Sequence, residues 1–200
     1  MSTSLAIVDS GGANIASLRF ALERLGIDGT LTSDAATIRS ADRVILPGVG
    51  AAADAMARLQ KRRLVDVIAG LNQPVLGICL GMQLLAQHSA EQDTACLGVL
   101  PPSAARLPAT VDQPVPNMGW CRIRKVAEHP LLTDIPDGSF FYFVHSYALP
   151  PGEWSLANAT HASEFCAIAA YRNFYAAQFH PERSQAAGAQ LLHNFVNLPL

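Results

Sequence analysis

Residues 75–83 read VLGICLGMQ, a short apolar run that ends in a cysteine with a glycine two positions to either side. The apolar run predicts a buried strand and the residues after it predict a helix, so Cys79 lies at a strand-to-helix turn. In the G-x-S-x-G motif of hydrolases a nucleophile occupies such a turn, and flanking glycines avoid collisions with neighbouring backbone. The pattern predicts either a nucleophilic thiol or a small buried cysteine between two glycines.

The segments around this turn alternate between strand and helix in the first half of the chain. Strands are predicted over 5–10, 43–50 and 74–78, and helices over 14–25, from 51 to about 69, and over 81–87. Asn14 is the expected N-cap of the first helix, and Gly26 ends it. This alternation is typical of a parallel sheet that is covered by helices on both faces.

The second half of the chain has short strands in quick succession. They are predicted over 140–149, 154–160, 166–173 and 174–180, as antiparallel strands or hairpins, before a final helix over 184–198. Residues 91–118 hold five prolines and are predicted to be irregular, with a further strand over 120–125. The fold class is therefore α/β: one domain over residues 1–200, with a central, mostly parallel sheet flanked by helices and an added antiparallel portion.

Composition excludes several classes of function. The net charge is −2 and neither sign forms a run, which argues against nucleic-acid and membrane partners. The N-terminus lacks the features of a signal peptide, and the four cysteines form no CxxC pair, so a reducing, cytoplasmic location is expected. No histidine cluster has metal-ligand spacing, and no metal site is predicted.

A thiol nucleophile needs a base, and His180 is the best placed of the six histidines. It ends an apolar strand and is followed by Pro181 and Glu182. In an extended segment residues two apart point the same way, so Glu182 can orient the imidazole while its other nitrogen faces the thiol. A glutamate that caps a helix would give the same tripeptide. Together with the cysteine turn, it favours a Cys79–His180–Glu182 triad.

GICLGMQLL at 77–85, followed about a hundred residues later by FHPE at 179–182, resembles the class I glutamine amidotransferase family. The resemblance extends over nearly the whole chain. LPGVGAAADAM (46–56), VPNMGW (115–120) and YFVHSYA (142–148) are similar to one branch of the family, the glutaminase subunits of imidazole glycerol phosphate synthase in histidine biosynthesis.

The resemblance implies roles for individual residues. Cys79 is implied as nucleophile, His180 as acid and base, and Glu182 as orienting carboxylate. The implied substrate-binding residues are Gly48, Val49, Gly50, Gln83, Ser146 and Tyr147. On the residues alone, Gln83 could instead be a solvated helix position, and His145 and Tyr147 ordinary strand residues.

Three further expectations follow from the resemblance. The peptide at 48–50 is expected to donate an N–H to the oxyanion after a reorientation, which Val49 resists because a β-branched residue disfavours positive φ. Asn117, where related chains carry histidine, is expected to affect only a contact surface. Trp120 is either an interface aromatic or a core residue.

The implied reaction converts glutamine to glutamate and ammonia through a thioester on Cys79, without metal or cofactor. The implied partner is a (β/α)₈-barrel cyclase subunit in a heterodimer, which receives ammonia through a sheltered path. That subunit would convert the ribulosyl aminoimidazole intermediate PRFAR to imidazole glycerol phosphate and AICAR.

Three alternatives remain open from the sequence. One is a glutaminase of the same superfamily that serves pyridoxal phosphate, anthranilate or p-aminobenzoate synthesis. Another is a binding module that has this fold without its chemistry. The last is a cysteine peptidase, which Gln83 and the glycine-lined turn disfavour.

Overall fold

Three short, mainly aliphatic segments, 5–8, 43–48 and 75–79, pair in parallel, and every one of their residues is buried. The computed structural model describes residues 3–11 and 15–199. The strands in chain order are β1 (Leu5–Val8), β2 (Gly29–Thr32), β3 (Arg43–Gly48), β4 (Val75–Cys79), β5 (His88–Ser89), β6 (Thr94–Ala95), β7 (Ala105–Arg106), β8 (Asn117–Lys125), β9 (Phe140–His145), β10 (Tyr147–Ala148), β11 (Ser155–His161), β12 (Ser163–Tyr171) and β13 (Phe174–Ala177).

Helices connect the parallel strands and close the chain. They are α1 (Ile15–Glu23), α2 (Ala35–Ser40), α3 (Ala52–Lys61), α4 (Val65–Ala69), α5 (Leu80–Leu85) and α6 (Gln185–Val196). Single 3₁₀ turns occur at Glu91–Asp93, Pro130–Leu132 and Pro181–Arg183. No helix within the described ranges is long and apolar enough to cross a bilayer.

One mixed sheet of nine strands organises the fold, in the order β2-β1-β3-β4-β13-β12-β11-β8-β9. The pairs from β2 to β13 are parallel, and the pairs from β13 to β9 are antiparallel. The mixed α/β fold expected from the sequence is confirmed. The exception is the segment 174–180, because β13 pairs in antiparallel with β12 but in parallel with β4.

Hydrophobic side chains pack on both faces of this sheet. Along β1, Leu5 and Ile7 join one core cluster, whereas Ala6 and Val8 join the other. Successive side chains of a strand point to opposite faces, so the two clusters lie on opposite sides of the sheet. A strand that is buried on both sides has no polar alternation, which explains the continuous apolar runs in the sequence.

The structure departs from the sequence-based elements at a few places. β2 and α2 were not predicted from the sequence. β2 lacks a continuous apolar run, because it is half-exposed and has the sequence GTLT. The helix expected over 51–69 is two helices, α3 and α4, separated where Arg63 has a φ of 56°. The region 91–118 includes short strands and the start of β8. The cap expected at Asn14 lies outside the described residues.

Candidate active site

Cys79 is the last residue of β4 and immediately precedes α5. Its backbone has a φ of 54° and a ψ of −111°, which is a sparsely populated conformation for a residue with a side chain. The strained turn holds the thiol at the carboxyl edge of the sheet, where the sulfur lies 3.7 Å from the carbonyl oxygen of Val144. Strain of this kind is typical of functional positions and costs about 1–3 kcal/mol.

The glycines around Cys79 are required by close backbone packing. A β-carbon on Gly81 would lie 1.9 Å from the carbonyl oxygen of Leu46 in β3, and one on Gly77 would lie 2.8 Å from the carbonyl oxygen of Gly81. Both distances are far below van der Waals contact. A side chain at either position would therefore collide with neighbouring backbone, as the sequence predicted. The reason is that α5 packs closely against β3 and β4.

His180 and Glu182 follow β13, the strand next to β4 in the sheet. The His180 Nδ1 and the Glu182 Oε1 are 2.9 Å apart. The expected contact exists, but the reason given for it was wrong: Pro181–Arg183 is a 3₁₀ turn and not an extended segment. Ser184 stabilises this turn, since its hydroxyl donates to the His180 carbonyl at 2.7 Å and accepts from the Tyr142 N–H at 3.0 Å.

The electrostatics of His180 favour a charged imidazole. Burial of the ring lowers its pKa, but hydrogen bonds and charge interactions with Cys79 and Glu182 outweigh burial and raise the pKa of His180 to about 10. The imidazolium therefore persists at neutral pH beside the sulfur. A neighbouring cation stabilises a thiolate relative to a thiol, and the thiolate is the nucleophilic form.

A cavity of 260 Å³ opens on the thiol. Cys79, His180, Val49, Gly50, Gln83, Ser146 and Tyr147 are among the residues that line it. Pockets for drug-sized ligands measure roughly 300–1,000 Å³, so this cavity suits a single amino acid better than a peptide. The site thus brings together a thiol on a strained backbone, an oriented imidazolium and a small cavity.

The model of the family "Glutamine amidotransferase class-I" matches residues 6–198 of the chain. The chain belongs to the class I glutamine amidotransferase family. Relatives with the name "Imidazole glycerol phosphate synthase subunit HisH" include one from Xylella fastidiosa (strain Temecula1), 47% identical over 98% of both chains. A second, from Haemophilus influenzae (strain 86-028NP), is 48% identical over 97% of both chains. A third, from Idiomarina loihiensis, is 48% identical over 98% of this chain and 99% of its own length.

Solved structures show the same fold at low identity. The crystal structure of a protein from Thermoplasma acidophilum, described as a putative GMP synthase subunit, superposes with a TM-score of 0.75 at 21% identity, over 98% of this chain and 93% of that one. A structure described as a glutamine amidotransferase gives a TM-score of 0.72 at 18% identity, over 96% of each chain. Both likenesses concern the fold alone.

Gln83 of this amidotransferase is buried at the cavity wall and is not the solvated position that the sequence allowed. Its side-chain amide donates to the carbonyl of Tyr147 at 2.8 Å and to the Oε1 of Gln178 at 3.2 Å. The Nε2 of Gln178 in turn lies 4.0 Å from the sulfur of Cys79. Gln178 was not singled out from the sequence, where its only signal is its position two residues before His180.

Asn117 and His145 extend the polar contacts of the site. The His145 Nδ1 is 2.9 Å from the Tyr147 carbonyl oxygen, and its Nε2 is 3.0 Å from the Asn117 Nδ2. Burial lowers the pKa of His145 to about 4, so the ring is neutral and carries its proton on Nδ1. Asn117 is buried, and the expectation that it affects only a contact surface is wrong.

The turn at 47–50 contributes to two neighbouring cavities. Val49 and Gly50 line the thiol cavity, but Gly48 does not: it lines an adjacent cavity of 200 Å³, and a β-carbon on it would lie 2.7 Å from the Gly81 nitrogen. Gly48 therefore allows close packing, and its expected contact with substrate is not supported. Positive φ occurs at Gly50, 91°, and not at Val49.

Glu91 is a cavity residue that the sequence did not reveal. Its carboxylate accepts a hydrogen bond of 2.7 Å from the N–H of Ala52 at the start of α3. It also lines the thiol cavity, where Cys79, Gln83 and Gly50 lie. The residue is in a 3₁₀ turn after a segment without periodic pattern, so only the folded chain brings it to the site.

Exposed apolar side chains lie at the sheet edge next to the triad. Met118 and Trp120 on β8 and Phe140 on β9 are 65%, 45% and 47% exposed, so Trp120 is not a core residue. We name these three residues the edge patch. The patch adjoins the triad through β9, because the His180 N–H donates to the Tyr142 carbonyl at 3.0 Å.

The acidic, histidine and cysteine side chains of this amidotransferase are dispersed with respect to metal binding. Among residues 3–11 and 15–199, no three or more of them form a group that could hold a metal ion.

Proposed function

We propose that this chain is the glutaminase subunit of an imidazole glycerol phosphate synthase. It hydrolyses glutamine to glutamate and ammonia, and it passes the ammonia to a cyclase subunit that makes imidazole glycerol phosphate and AICAR from PRFAR. The observation that carries the proposal is the thiol–imidazole–carboxylate arrangement in a small cavity. The proposal is supported by 47–48% identity to relatives that have this name over nearly their whole length.

The chemistry assigns one role to each member of the triad. The Cys79 thiolate attacks the side-chain amide carbon of glutamine, and the His180 imidazolium gives its proton to the departing nitrogen. Ammonia leaves, and a γ-glutamyl thioester remains on the sulfur. His180, now neutral, takes a proton from water as the water attacks the thioester, and glutamate leaves as the sulfur is released. Glu182 fixes the imidazole through Nδ1 and stabilises its charge.

The α-amino and carboxylate end of glutamine is assigned to the far side of the cavity. Gln83 uses both amide hydrogens for Tyr147 and Gln178, which leaves its Oε1 to accept from the α-ammonium. The Glu91 carboxylate lines the same cavity and supplies the opposite charge. Backbone groups of Gly50, Ser146 and Tyr147 remain for the α-carboxylate.

The oxyanion of the tetrahedral intermediate is assigned to backbone N–H groups of two segments. Leu80, directly after the nucleophile, lines the cavity, and so does the turn at Val49 and Gly50. Donors of this kind stabilise charge that develops only in the transition state. A reorientation of the Gly48–Val49 peptide would complete the pair, and Val49 disfavours it because a β-branched residue resists the positive φ that this rotation requires. The chain alone would thus be a slow glutaminase.

A partner is implied because the useful product is neutral ammonia, which bulk water at neutral pH converts mostly to ammonium. We assign the edge patch to the contact with the cyclase subunit, in a heterodimer. Large apolar and aromatic side chains are typical of interface anchors. The patch borders the turn that holds His180, so a subunit docked there would shield the departing ammonia from solvent. The complex is assigned to the cytoplasm.

The rival functions receive less support. The relatives and the triad geometry do not favour a glutaminase of pyridoxal phosphate, anthranilate or p-aminobenzoate synthesis. They do not favour a binding module without chemistry either. A peptidase would need room for a chain on both sides of the scissile bond. The 260 Å³ cavity suits a single amino acid better.

Substitution of the nucleophile tests the proposal. Cys79→Ala and Cys79→Ser are expected to abolish glutamine hydrolysis in the complex with the cyclase subunit. Cys96→Ala is the matched control, because Cys96 is half-buried and does not line the cavity. The wild-type chain is expected to hydrolyse glutamine orders of magnitude faster once PRFAR and the cyclase subunit have been added. Turnover by Cys79→Ala would refute the nucleophile, and no stimulation would refute the partner.

A further inference from the structure

A single backbone carbonyl determines how two buried amides are oriented beside the nucleophile. The oxygen and nitrogen of a glutamine amide are distinguished by their partners, and a backbone carbonyl can only accept. The Tyr147 carbonyl lies 2.8 Å from the Gln83 amide, so the Nε2 of Gln83 must face it. The second hydrogen of that nitrogen then points to Gln178, whose oxygen must accept it at 3.2 Å.

The orientation of the Gln178 amide determines which of its atoms faces the sulfur of Cys79. Once the oxygen of Gln178 faces Gln83, its nitrogen faces Cys79, at 4.0 Å. Gln178 is fully buried, and its backbone N–H donates to the Ala167 carbonyl at 2.9 Å, so the side chain has little freedom to reorient. An N–H donor beside the sulfur stabilises the thiolate and has little effect on the thiol.

The Tyr147 carbonyl is itself held in place. It accepts a second hydrogen bond, of 2.9 Å, from the neutral His145, which uses both lone pairs of the oxygen. Neither amide can therefore invert without leaving a buried donor or acceptor unpaired, which costs about 1–3 kcal/mol. The orientation of Gln83 and the donor at Cys79 are set by the same contacts.

We propose that Gln178 is a positioning residue for glutamine hydrolysis: its amide oxygen fixes Gln83 so that the Gln83 Oε1 faces the substrate, and its amide N–H supports the Cys79 thiolate. The inference rests on the proposed function. The two halves of the amide have separate consequences, since the oxygen affects glutamine binding and the nitrogen affects the reactivity of the sulfur.

Two substitutions separate these halves. Gln178→Met keeps the length of the side chain and removes both polar contacts. Gln178→Glu keeps an oxygen that accepts from Gln83 and removes the N–H donor. The matched control is Gln190→Met, a half-buried position in α6 whose amide donates to Asn194 and which does not line the cavity.

The first measurement is glutamine turnover by the complex with the cyclase subunit in the presence of PRFAR. Loss of a hydrogen bond worth about 0.5–1.5 kcal/mol predicts that Gln178→Met raises the KM for glutamine roughly 2- to 13-fold. Gln178→Glu is expected to keep KM within about twofold of wild type, because its oxygen still accepts from Gln83. Both variants are expected to lower kcat, and Gln190→Met to change neither constant.

The second measurement is the pH profile of Cys79 alkylation by iodoacetamide in the chain alone. The profile of Gln178→Met is expected to move to higher pH, which a merely structural glutamine would not produce. An unchanged profile together with an unchanged KM in folded Gln178→Met would overturn the proposal. If Gln178→Met does not fold, Gln178→Glu decides: a preserved KM with a lower kcat supports the proposal, and a raised KM or an unchanged kcat overturns it.

Failure of the proposed function has a different signature. In that case the wild-type complex would not hydrolyse glutamine, whereas the alkylation profile of Cys79 would still report the effect of Gln178. The alkylation measurement then decides the proposal for the sulfur without reference to glutamine.

Discussion

A β-carbon on Gly81 would lie 1.9 Å from the carbonyl oxygen of Leu46, so the first turn of α5 can approach β3 only without a side chain at that position. Gly81→Ala is therefore expected to displace α5 and to destabilise the fold by more than the roughly 1–3 kcal/mol of ordinary overpacking. Chemical denaturation measures the loss. Gly70→Ala, whose β-carbon would lie 3.1 Å from its nearest neighbour, is expected to cost less. Equal stabilities of the two variants would contradict the close approach.

The strained backbone of Cys79 predicts a reversal of the usual ranking of alanine and glycine. Glycine is normally about 0.5–1 kcal/mol less favourable than alanine within regular structure. At a φ of 54° and a ψ of −111° alanine retains the strain and glycine relieves it. Cys79→Gly is expected to unfold at a higher denaturant concentration than Cys79→Ala, by about 1 kcal/mol or more. A less stable glycine variant would show that the turn is unstrained.

The raised pKa of His180 makes stability depend on pH in a defined window. The pKa of about 10 lies above the ordinary value of 6.5, so the pairing stabilises the folded state fully below pH 6.5 and is lost as the pH rises towards 10. Glu182→Gln removes one of the two anionic partners. The difference in unfolding free energy between wild type and this variant is expected to be largest near pH 6 and to shrink towards pH 10.

The same variant allows the effect of Glu182 on the pKa of the His180 imidazole to be measured directly. Nuclear magnetic resonance of the His180 ring should show a lower pKa in Glu182→Gln than in wild type. His145, which is neutral because burial lowers its pKa to about 4, provides an internal comparison that should not change. An identical pKa of His180 in both proteins would remove Glu182 from the triad.

Glu91 is expected to contribute to glutamine binding through its charge. Glu91→Gln keeps an oxygen for the Ala52 N–H but removes the charge that we assign to the substrate ammonium. Charge-assisted hydrogen bonds contribute about 1.5–3 kcal/mol, which predicts a rise in KM of about tenfold or more with a smaller effect on kcat. Asp93→Asn is the control, because Asp93 is in the same turn, fully exposed, and paired with His88. A KM that moves equally in both variants would assign Glu91 a purely local role.

Trp120 is expected to anchor the cyclase subunit. Trp120→Ala should weaken the complex by about 2 kcal/mol or more, roughly 30-fold in Kd, as is common for buried interface aromatics. The control is Leu31→Ala, which removes an exposed leucine on β2 at the opposite edge of the sheet. Calorimetric titration of each variant with the cyclase subunit measures the effect. Unchanged binding in Trp120→Ala would place the interface elsewhere.

The sequence predicted those parts of the site that depend on short local patterns. Cys79 follows from a glycine-flanked turn after an apolar strand, and His180 from a strand that ends at a proline. Glu182 was paired with the correct histidine for the wrong reason, because a 3₁₀ turn brings the two side chains together. The residue types alone were sufficient to predict the contact between His180 and Glu182, although the backbone conformation predicted for 180–182 was wrong.

The residues that were missed depend on contacts between distant segments. Gln178 and Glu91 have no pattern of their own, and each acquires its role from a partner 95 or 39 residues away. Asn117 was noticed but was assigned to a contact surface, whereas it contacts the buried His145, 28 residues away. The half-exposed strand β2 was missed for a related reason. Its short polar sequence acquires its conformation from pairing with β1.

The proposed nucleophile Cys79 and the proposed base His180 follow neighbouring strands at nearly the same level, since Ile78, just before Cys79, pairs with Ala177 at the end of β13. About a hundred residues of chain separate them in sequence, yet the ladder between two adjacent strands sets their spacing. Insertions or deletions in the intervening surface loops therefore leave the catalytic separation untouched. Such a scaffold can diversify its outer segments for new docking subunits while the reaction centre stays the same.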